Sequence, residues 1–271
     1  MLRRSKTTRH YLRKNLYPLY RATAALRPLP NAVIIGGMKC GTTSLNAWLR
    51  EHPGVAFSSQ KEIHFFDKHF ERGTHWYKTH FPLCELLFGA ECTLEATPSY
   101  LYRAAQVAPR MHALIPDAKL IVMLRNPVNR AISHYGHAYR NHRETRPPEV
   151  ALMSDFTSNG NQANHYKSRG LYAKQLKHFF SLYPRANILI IKSEEFFDKP
   201  STTYEQVLNF LNLESRPLPS NARARNVSNA KPVISDAVRH HLQLFYQKPN
   251  QDLQNLLGHF PGWEPEMIRQ N

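Results

Sequence analysis

Apolar residues gather in short continuous runs, separated by longer stretches in which they recur every three or four positions. The first run, Ala32-Val33-Ile34-Ile35, offers no polar face to water, as in a parallel strand covered on both sides. It enters Gly36-Gly37 and then a stretch that puts Leu45, Trp48 and Leu49 on one helical face and ends near His52-Pro53-Gly54. Further runs predict strands at 55–57, 93–95, 119–124 and 187–191, and helical spacing over 103–114, 127–139, 171–182 and 202–211 fills most of the intervals. Strands alternating with helices predict an α/β fold: a doubly wound parallel sheet flanked by helices, in a single domain over 31–271, with ligands bound beyond the carboxyl ends of the strands. Residues 141–168 are polar, with Pro147-Pro148 and Asn159-Gly160-Asn161, and predict a long surface loop. Past Asn221 a loop leads to two helical segments, 236–246 and 250–257.

Two strand-to-helix junctions carry anion chemistry. Gly36-Gly37-Met38-Lys39-Cys40-Gly41-Thr42-Thr43 lets a tight glycine turn aim backbone N–H groups inward, adds a helix N-terminus, and supplies the full charge of Lys39. A plain turn with a solvent lysine is the simpler alternative. The loop departs from GxxxxGK(S/T), because Lys39 precedes Gly41, and the strand 119–124 ends in Arg125 where a magnesium-binding Asp would stand. Phosphate or sulfate chemistry without a metal therefore fits better than ATP hydrolysis. At the second junction, Arg125 closes a strand, Asn126 is placed as an N-cap, Pro127 suits the first helical turn, and Ser133 lies two turns on. Guanidinium and hydroxyl together suit one phosphate, while an ion pair from Arg125 to a nearby carboxylate is the competing use.

Charge narrows the partners. The 271 residues hold 36 Lys and Arg against 20 Asp and Glu, a net +16, and 42% hydrophobic residues suffice for a core, which excludes wholesale disorder. Arg3, Arg4, Lys6, Arg9, Arg13, Lys14, Arg21 and Arg27 place eight of those charges in a basic arm, 1–30, that contains no acid. The arm lacks an apolar run of signal-peptide or membrane-spanning length, so the expectation is a cytoplasmic protein whose arm is a solvated tail or a peripheral contact with anionic membrane. Cys40, Cys84 and Cys92 permit at most one disulfide, Cys84 with Cys92, and reduced thiols are expected. The histidines form no metal pattern such as HExxH, and no nucleic-acid signature accompanies the charge.

The stretches VIIGGMKCGTTSL, KEIHFFD, LEATPSY, KLIVMLRNPVNRAISHY and SRGLYAKQL…YPRANILII occur in one order and resemble the P-loop sulfotransferases that use 3′-phosphoadenosine 5′-phosphosulfate (PAPS), within the branch holding the heparan sulfate enzymes and many bacterial ones. The resemblance covers about 30–257. It implies that Gly37, Met38, Lys39, Cys40, Gly41, Thr42 and Thr43 hold the donor's 5′-phosphosulfate and that Arg125 and Ser133 hold its 3′-phosphate. It also implies that a loop near 226–232, including Ser228, closes over the cofactor, and that 3′-phosphoadenosine 5′-phosphate (PAP) is the product. Vertebrate relatives have Lys-Gly-Arg there, whereas this chain has Arg225-Asn226-Val227-Ser228-Asn229. In the similar glycan enzymes the glutamate matching Glu62 is the base. His64 is the chemical alternative, with Glu62 otherwise a partner of Lys61 and His64 otherwise a packed residue. Glu62, His64, Asp67, Thr97 and Pro98 are the expected acceptor contacts. Relatives carry a lysine at the position of Ala96, so the acceptor is left among carbohydrates, glycolipids and hydroxylated or amine-bearing metabolites. The rival classes are a nucleotide kinase, which lacks its GK(S/T) and magnesium carboxylate here, and a basic nucleic-acid binder.

Overall fold

The computed structural model describes residues 17–83, 89–154, 165–220, 222, 233–258 and 263. In chain order they form β1 (Ala32–Gly36), α1 (Thr42–Leu49), β2 (Val55–Phe57), α2 (Phe65–Lys68), α3 (Gly73–Lys78), β3 (Cys92–Ala96), α4 (Ser99–Tyr102), α5 (Ala104–Leu114), β4 (Lys119–Leu124), α6 (Pro127–Arg140), α7 (Pro148–Met153), α8 (Tyr172–Phe180), β5 (Ile188–Lys192), α9 (Ser193–Asp198), α10 (Pro200–Leu211) and α11 (Asp236–Leu257). The five strands make one parallel sheet in the order β2-β3-β1-β4-β5. β1 is central because its residues are apolar on both faces. Val33 and Ile35, with Leu120, Val122 and Leu124 of β4, pack beneath α5 and α8, while Ala32 and Ile34, with Ile121 and Met123, pack beneath α1 and α10. A third cluster joins α6, α7 and α11 through Tyr135, Leu152, Val238 and Tyr246. The chain leaves β1 toward β2 on one side and reaches β4 on the other, so the crevice at the carboxyl ends of β1 and β4 is the switch point of the sheet.

The register of β1 on β4 shifts between Ile34 and Gly36, where the strand bends into the glycine loop. From behind, Trp48 of α1 stacks on Phe196 of α9 at 4.3 Å between centroids, an aromatic contact worth about 0.5–1.5 kcal/mol beyond its burial. That contact ties the helix following the loop to the end of β5.

Three sequence expectations change. The loop expected over 141–168 contains α7, since Pro148 occupies the first helical turn, where a missing N–H costs nothing; residues 155–164 lie outside the described residues. The two expected helices after 236 are one 22-residue helix with Pro249 inside it, held on both sides of the proline by the buried Tyr246 and Leu253. Helices α2, α3 and α9, of four to six residues, are too short to show a period. Within 17–30, Arg27 is 5% exposed, stacks on Tyr20 at 4.3 Å and donates to the carbonyl of Phe81 at 2.5 Å, while Lys78 donates to the carbonyl of Ala25 at 2.8 Å. This part of the arm is therefore packed on α3, and residues 1–16 lie outside the described residues. No helix among the described residues is long and apolar enough to cross a membrane.

Candidate active site

The glycine loop closes on itself and on β4. Gly37 N–H donates to the carbonyl of Met123 at 2.7 Å and Cys40 N–H to that of Gly37 at 3.2 Å. A Cβ on Gly36 would lie 2.4 Å from the Cβ of Leu101, and one on Gly37 would lie 3.2 Å from the Met123 carbonyl, so side chains here would force the strand end away from its neighbours. Gly41 has φ 97°, which glycine adopts without the steric cost of a side chain. Ser193, at the start of α9, donates to the carbonyl of Cys40 at 2.6 Å and pins the loop from the β5 side. Cys40 itself is fully buried beside Tyr172, and burial pushes its thiol up to about 11, so it contributes backbone and packing rather than a nucleophile.

Lys39 sits half-buried in left-handed backbone, φ 69°, at the mouth of the crevice. Burial lowers its pKa first, followed by the positive charges of Arg140 and Arg125, with Lys61 adding to them. Arg125 leaves the end of β4, and its Nη1 reaches the carbonyl of Lys39 at 3.4 Å, a weak contact. It has no carboxylate ion pair among the described residues. Asn126 is the expected cap: its Oδ1 accepts from Val128 N–H at 3.0 Å and Asn129 N–H at 3.3 Å. Its own N–H donates to Glu194 at 2.9 Å. Ser133 follows on α6, half-buried. Burial, with Lys39 next, lowers the pKa of His137, so Ser133, His137 and Arg140 lie along the stripe of α6 nearest the loop. Arg140 escaped the motif reading, although its spacing of seven from Ser133 was the available signal.

Deeper on α6, Arg130 is 1% exposed and donates through Nη2 to the carbonyl of Tyr166, while its Nε and Nη1 have no hydrogen-bond partner among the described residues. Arg169 stacks on Tyr102 at 4.3 Å, and burial together with Arg130 brings its pKa down to about 10. Burial and Arg130 also hold His134 well below its ordinary value. The wall beside Lys39 is therefore positively charged at depth, which no local sequence signal announces.

The KEIHFFD segment leaves β2 and crosses toward α4. Lys61 Nζ donates to Thr43 Oγ1 at 2.9 Å and pairs with Glu62 Oε1 at 3.1 Å, so it bridges the glycine loop to the carboxylate. This bridging role was missed in the sequence, where Lys61 read only as a local partner of Glu62. The Glu62 side chain is 45% exposed, and its Oε2 lies 3.9 Å from His64 Nε2. His64 Nδ1 lies 3.1 Å from Asp67 Oδ2, which also accepts from Ser99 Oγ at 2.6 Å. Burial alone would raise the Asp67 pKa, but the hydrogen bonds from His64 and Ser99 outweigh it, so Asp67 is an ionised acceptor for a hydrogen bond from Nδ1–H, which turns Nε2 toward Glu62.

Asp67, with a side chain only 3% exposed, thus orients His64 and is not an open acceptor contact. Thr97 and Pro98 also depart from expectation. Both are buried, and the Thr97 hydroxyl points inward to Glu95 Oε1 at 2.6 Å, because β3 ends with its side chains in the core. Thr42 is buried as well, and Met38 is half-buried. Ser228 and residues 223–232 lie outside the described residues, as does Cys84.

Residues 29–249 match the family described as sulfotransferase domain. Human heparan sulfate glucosamine 3-O-sulfotransferase 6 is 30% identical over 261 residues, which cover 88% of this chain and 74% of that protein. The membrane-associated sulfotransferase kil1 of Dictyostelium discoideum is 25% identical over 317 residues, covering 87% of this chain and 67% of that protein. The crystal structure of a sulfotransferase from Alicyclobacillus acidocaldarius superposes with a TM-score of 0.74 at 28% identity, covering 86% of this chain and 98% of that one. With a parallel sheet, a glycine loop at its switch point and a match over most of its length, the chain belongs to the sulfotransferase domain family.

Proposed function

We propose that the chain transfers a sulfuryl group from PAPS to a hydroxyl of a carbohydrate, glycolipid or hydroxylated metabolite, with residues 36–43 holding the 5′-phosphosulfate and Arg125 and Ser133 the 3′-phosphate. The observation that carries this reading is the setting of Lys39: a half-buried ammonium at the end of β1 to which Arg140, Arg125 and Lys61 all add positive charge. A concentration of like charge at a glycine loop suits a dianionic ligand. The glycine loop supports this reading, since a Cβ on Gly37 would crowd Cys40 Sγ and the Met123 carbonyl, so glycine there permits the tight turn that a phosphate-binding loop uses.

When bound, PAPS supplies an activated sulfuryl group on a phosphate leaving group. The S–O bond to that phosphate breaks as the acceptor oxygen bonds to sulfur, and the acceptor proton must leave. Lys39 stabilises the negative charge that grows on the departing phosphate oxygen, by analogy with a single oxyanion donor worth about 3–4 kcal/mol. Glu62, exposed on the same side and steadied by Lys61, takes the acceptor proton; His64, aimed by Asp67, lies close enough to share that task. Lys39 does in this scheme what a divalent cation does in phosphoryl transfer, so turnover in EDTA should match turnover without it. The name of the human relative favours carbohydrate among the acceptors. The name of the Dictyostelium relative, with the six basic residues in 1–16, favours a peripheral contact with anionic membrane.

Isothermal calorimetry with PAP, with ATP and magnesium, and with duplex DNA tests the donor assignment. Binding of PAP at least tenfold tighter than either of the others is expected; preference for ATP with magnesium or for DNA would overturn it. Radiolabelled transfer from PAPS to a panel of oligosaccharide, glycolipid and phenolic acceptors then selects the acceptor for the kinetic tests below.

A further inference from the structure

We propose that Tyr100 is a positioning residue for the acceptor-side loop: its phenol, gripped by the buried Glu95, fixes the backbone that aims Glu62 and His64. The proposal rests on the reading of that loop as the side from which the acceptor proton leaves. Glu95 is 0% exposed in the middle of the sheet and receives three hydroxyl groups. Thr97 Oγ1 and Tyr100 Oη donate to its Oε1 at 2.6 and 2.9 Å, and Tyr77 Oη donates to its Oε2. A phenol has one proton, and with that proton directed to Glu95 the Tyr100 oxygen has only lone pairs left to offer. It accepts Phe65 N–H at 2.9 Å and Phe66 N–H, more weakly, at 3.4 Å. These are the first amides of α2, which have no partner inside the helix, and His64 gives them no side-chain cap because its Nδ1 faces Asp67.

The loop needs such a hold. Glu62 and His64 have φ of 61° and 57°, left-handed conformations that are strained for a residue carrying a side chain. The upstream end is pinned by Glu62 N–H on the carbonyl of Ala96 at 3.0 Å, and Tyr100 pins the downstream end. Both anchors belong to the end of β3 and the start of α4, so the carboxylate and imidazole are hung between two fixed points. A displacement of about 1 Å at such groups costs on the order of 10²-fold in rate.

Tyr77 provides the control. Its phenol donates to the same carboxylate and its ring stacks on Phe65 at 4.2 Å, but its hydroxyl makes no bond to the loop. Tyr100→Phe should lower kcat by about 10–10²-fold with the Kd for PAP unchanged, whereas Tyr77→Phe, with a similar loss of Tm, should keep kcat within about threefold of wild type. Near-wild-type kcat in Tyr100→Phe would overturn the proposal, as would equal kcat losses in the two variants, which mark a merely structural role. If Tyr100→Phe does not fold, Glu95→Gln/Tyr100→Phe, which removes the buried charge together with the phenol, carries the same kinetic expectation. Glu62→Gln assayed alongside separates the two levels of failure. Lost turnover there with intact turnover in Tyr100→Phe overturns the positioning role alone, whereas intact turnover in both Glu62→Gln and His64→Ala removes the loop's role and this proposal with it.

Discussion

Replacing Lys39 with Ala should move stability and catalysis in opposite directions. Among the described residues the side chain makes no hydrogen bond that the fold would lose, and the contact from Arg125 goes to the Lys39 carbonyl, which Ala retains. Ala also tolerates φ 69° no worse than Lys does, so backbone strain cancels. What disappears is a partly desolvated ammonium facing Arg140, Arg125 and Lys61. Repulsion of that kind, at near-surface dielectric and physiological salt, is on the order of 1 kcal/mol, which for a domain of this size raises Tm by about 2–4 °C. If Lys39 faces the leaving phosphate oxygen as proposed, the same substitution should slow transfer by about 10²–10³-fold, or about 3–4 kcal/mol. Calorimetric melting of the ligand-free protein and single-turnover transfer from saturating PAPS measure the two effects separately. A ligand-free Tm lowered by several degrees would show that Lys39 is a structural partner, and undiminished single-turnover rates would remove it from the chemistry.

Two further outcomes follow from the remaining charged elements. Arg125→Ala and Ser133→Ala should each weaken PAP by more than tenfold while barely changing the affinity of the analogue lacking the 3′-phosphate, measured by calorimetry; equal losses for both ligands would show that neither residue reads that phosphate. Deleting residues 1–16, which hold six of the arm's eight basic residues and leave the packed Arg27 in place, should preserve PAP affinity and reduce sedimentation with phosphatidylserine vesicles at low salt, since each basic residue near such a surface is worth about 1 kcal/mol. Unchanged sedimentation would leave the arm a solvated tail.

How far the chain could be read in advance depends on whether a feature is local. β1 and β4 are legible because strands buried on both faces are apolar throughout, and the two anion loops because glycine, lysine and a capping asparagine act within a few residues of their position. Asn126 is the clearest case, since its capping role depends only on the two amides that follow it. Proline misleads where its effect depends on context: Pro148 opens α7 and Pro249 is carried inside α11, although both read as breaks. Roles set by burial are the least legible. Thr97 resembles an acceptor contact until the sheet turns its hydroxyl to Glu95, and Arg130 and Arg169 are unremarkable in sequence, yet Arg130 is buried on α6 and Arg169 is half-buried near it. Lys61 gains its bridging role only because β2 ends next to the first turn of α1.

The measurement that bears most directly on the reaction is single-turnover sulfuryl transfer by Glu62→Gln with PAPS bound at saturation, with His64→Ala beside it. The Gln side chain keeps the size and hydrogen-bonding reach of Glu62 but cannot take a proton, and the Lys61 bridge to Thr43 remains available to hold the loop. The account predicts PAP affinity within about twofold of wild type and transfer slower by about 10²–10⁴-fold in Glu62→Gln, with a smaller loss in His64→Ala. If His64→Ala abolishes transfer while Glu62→Gln keeps most of it, the proton goes to the imidazole and the assignment of Glu62 as base is contradicted.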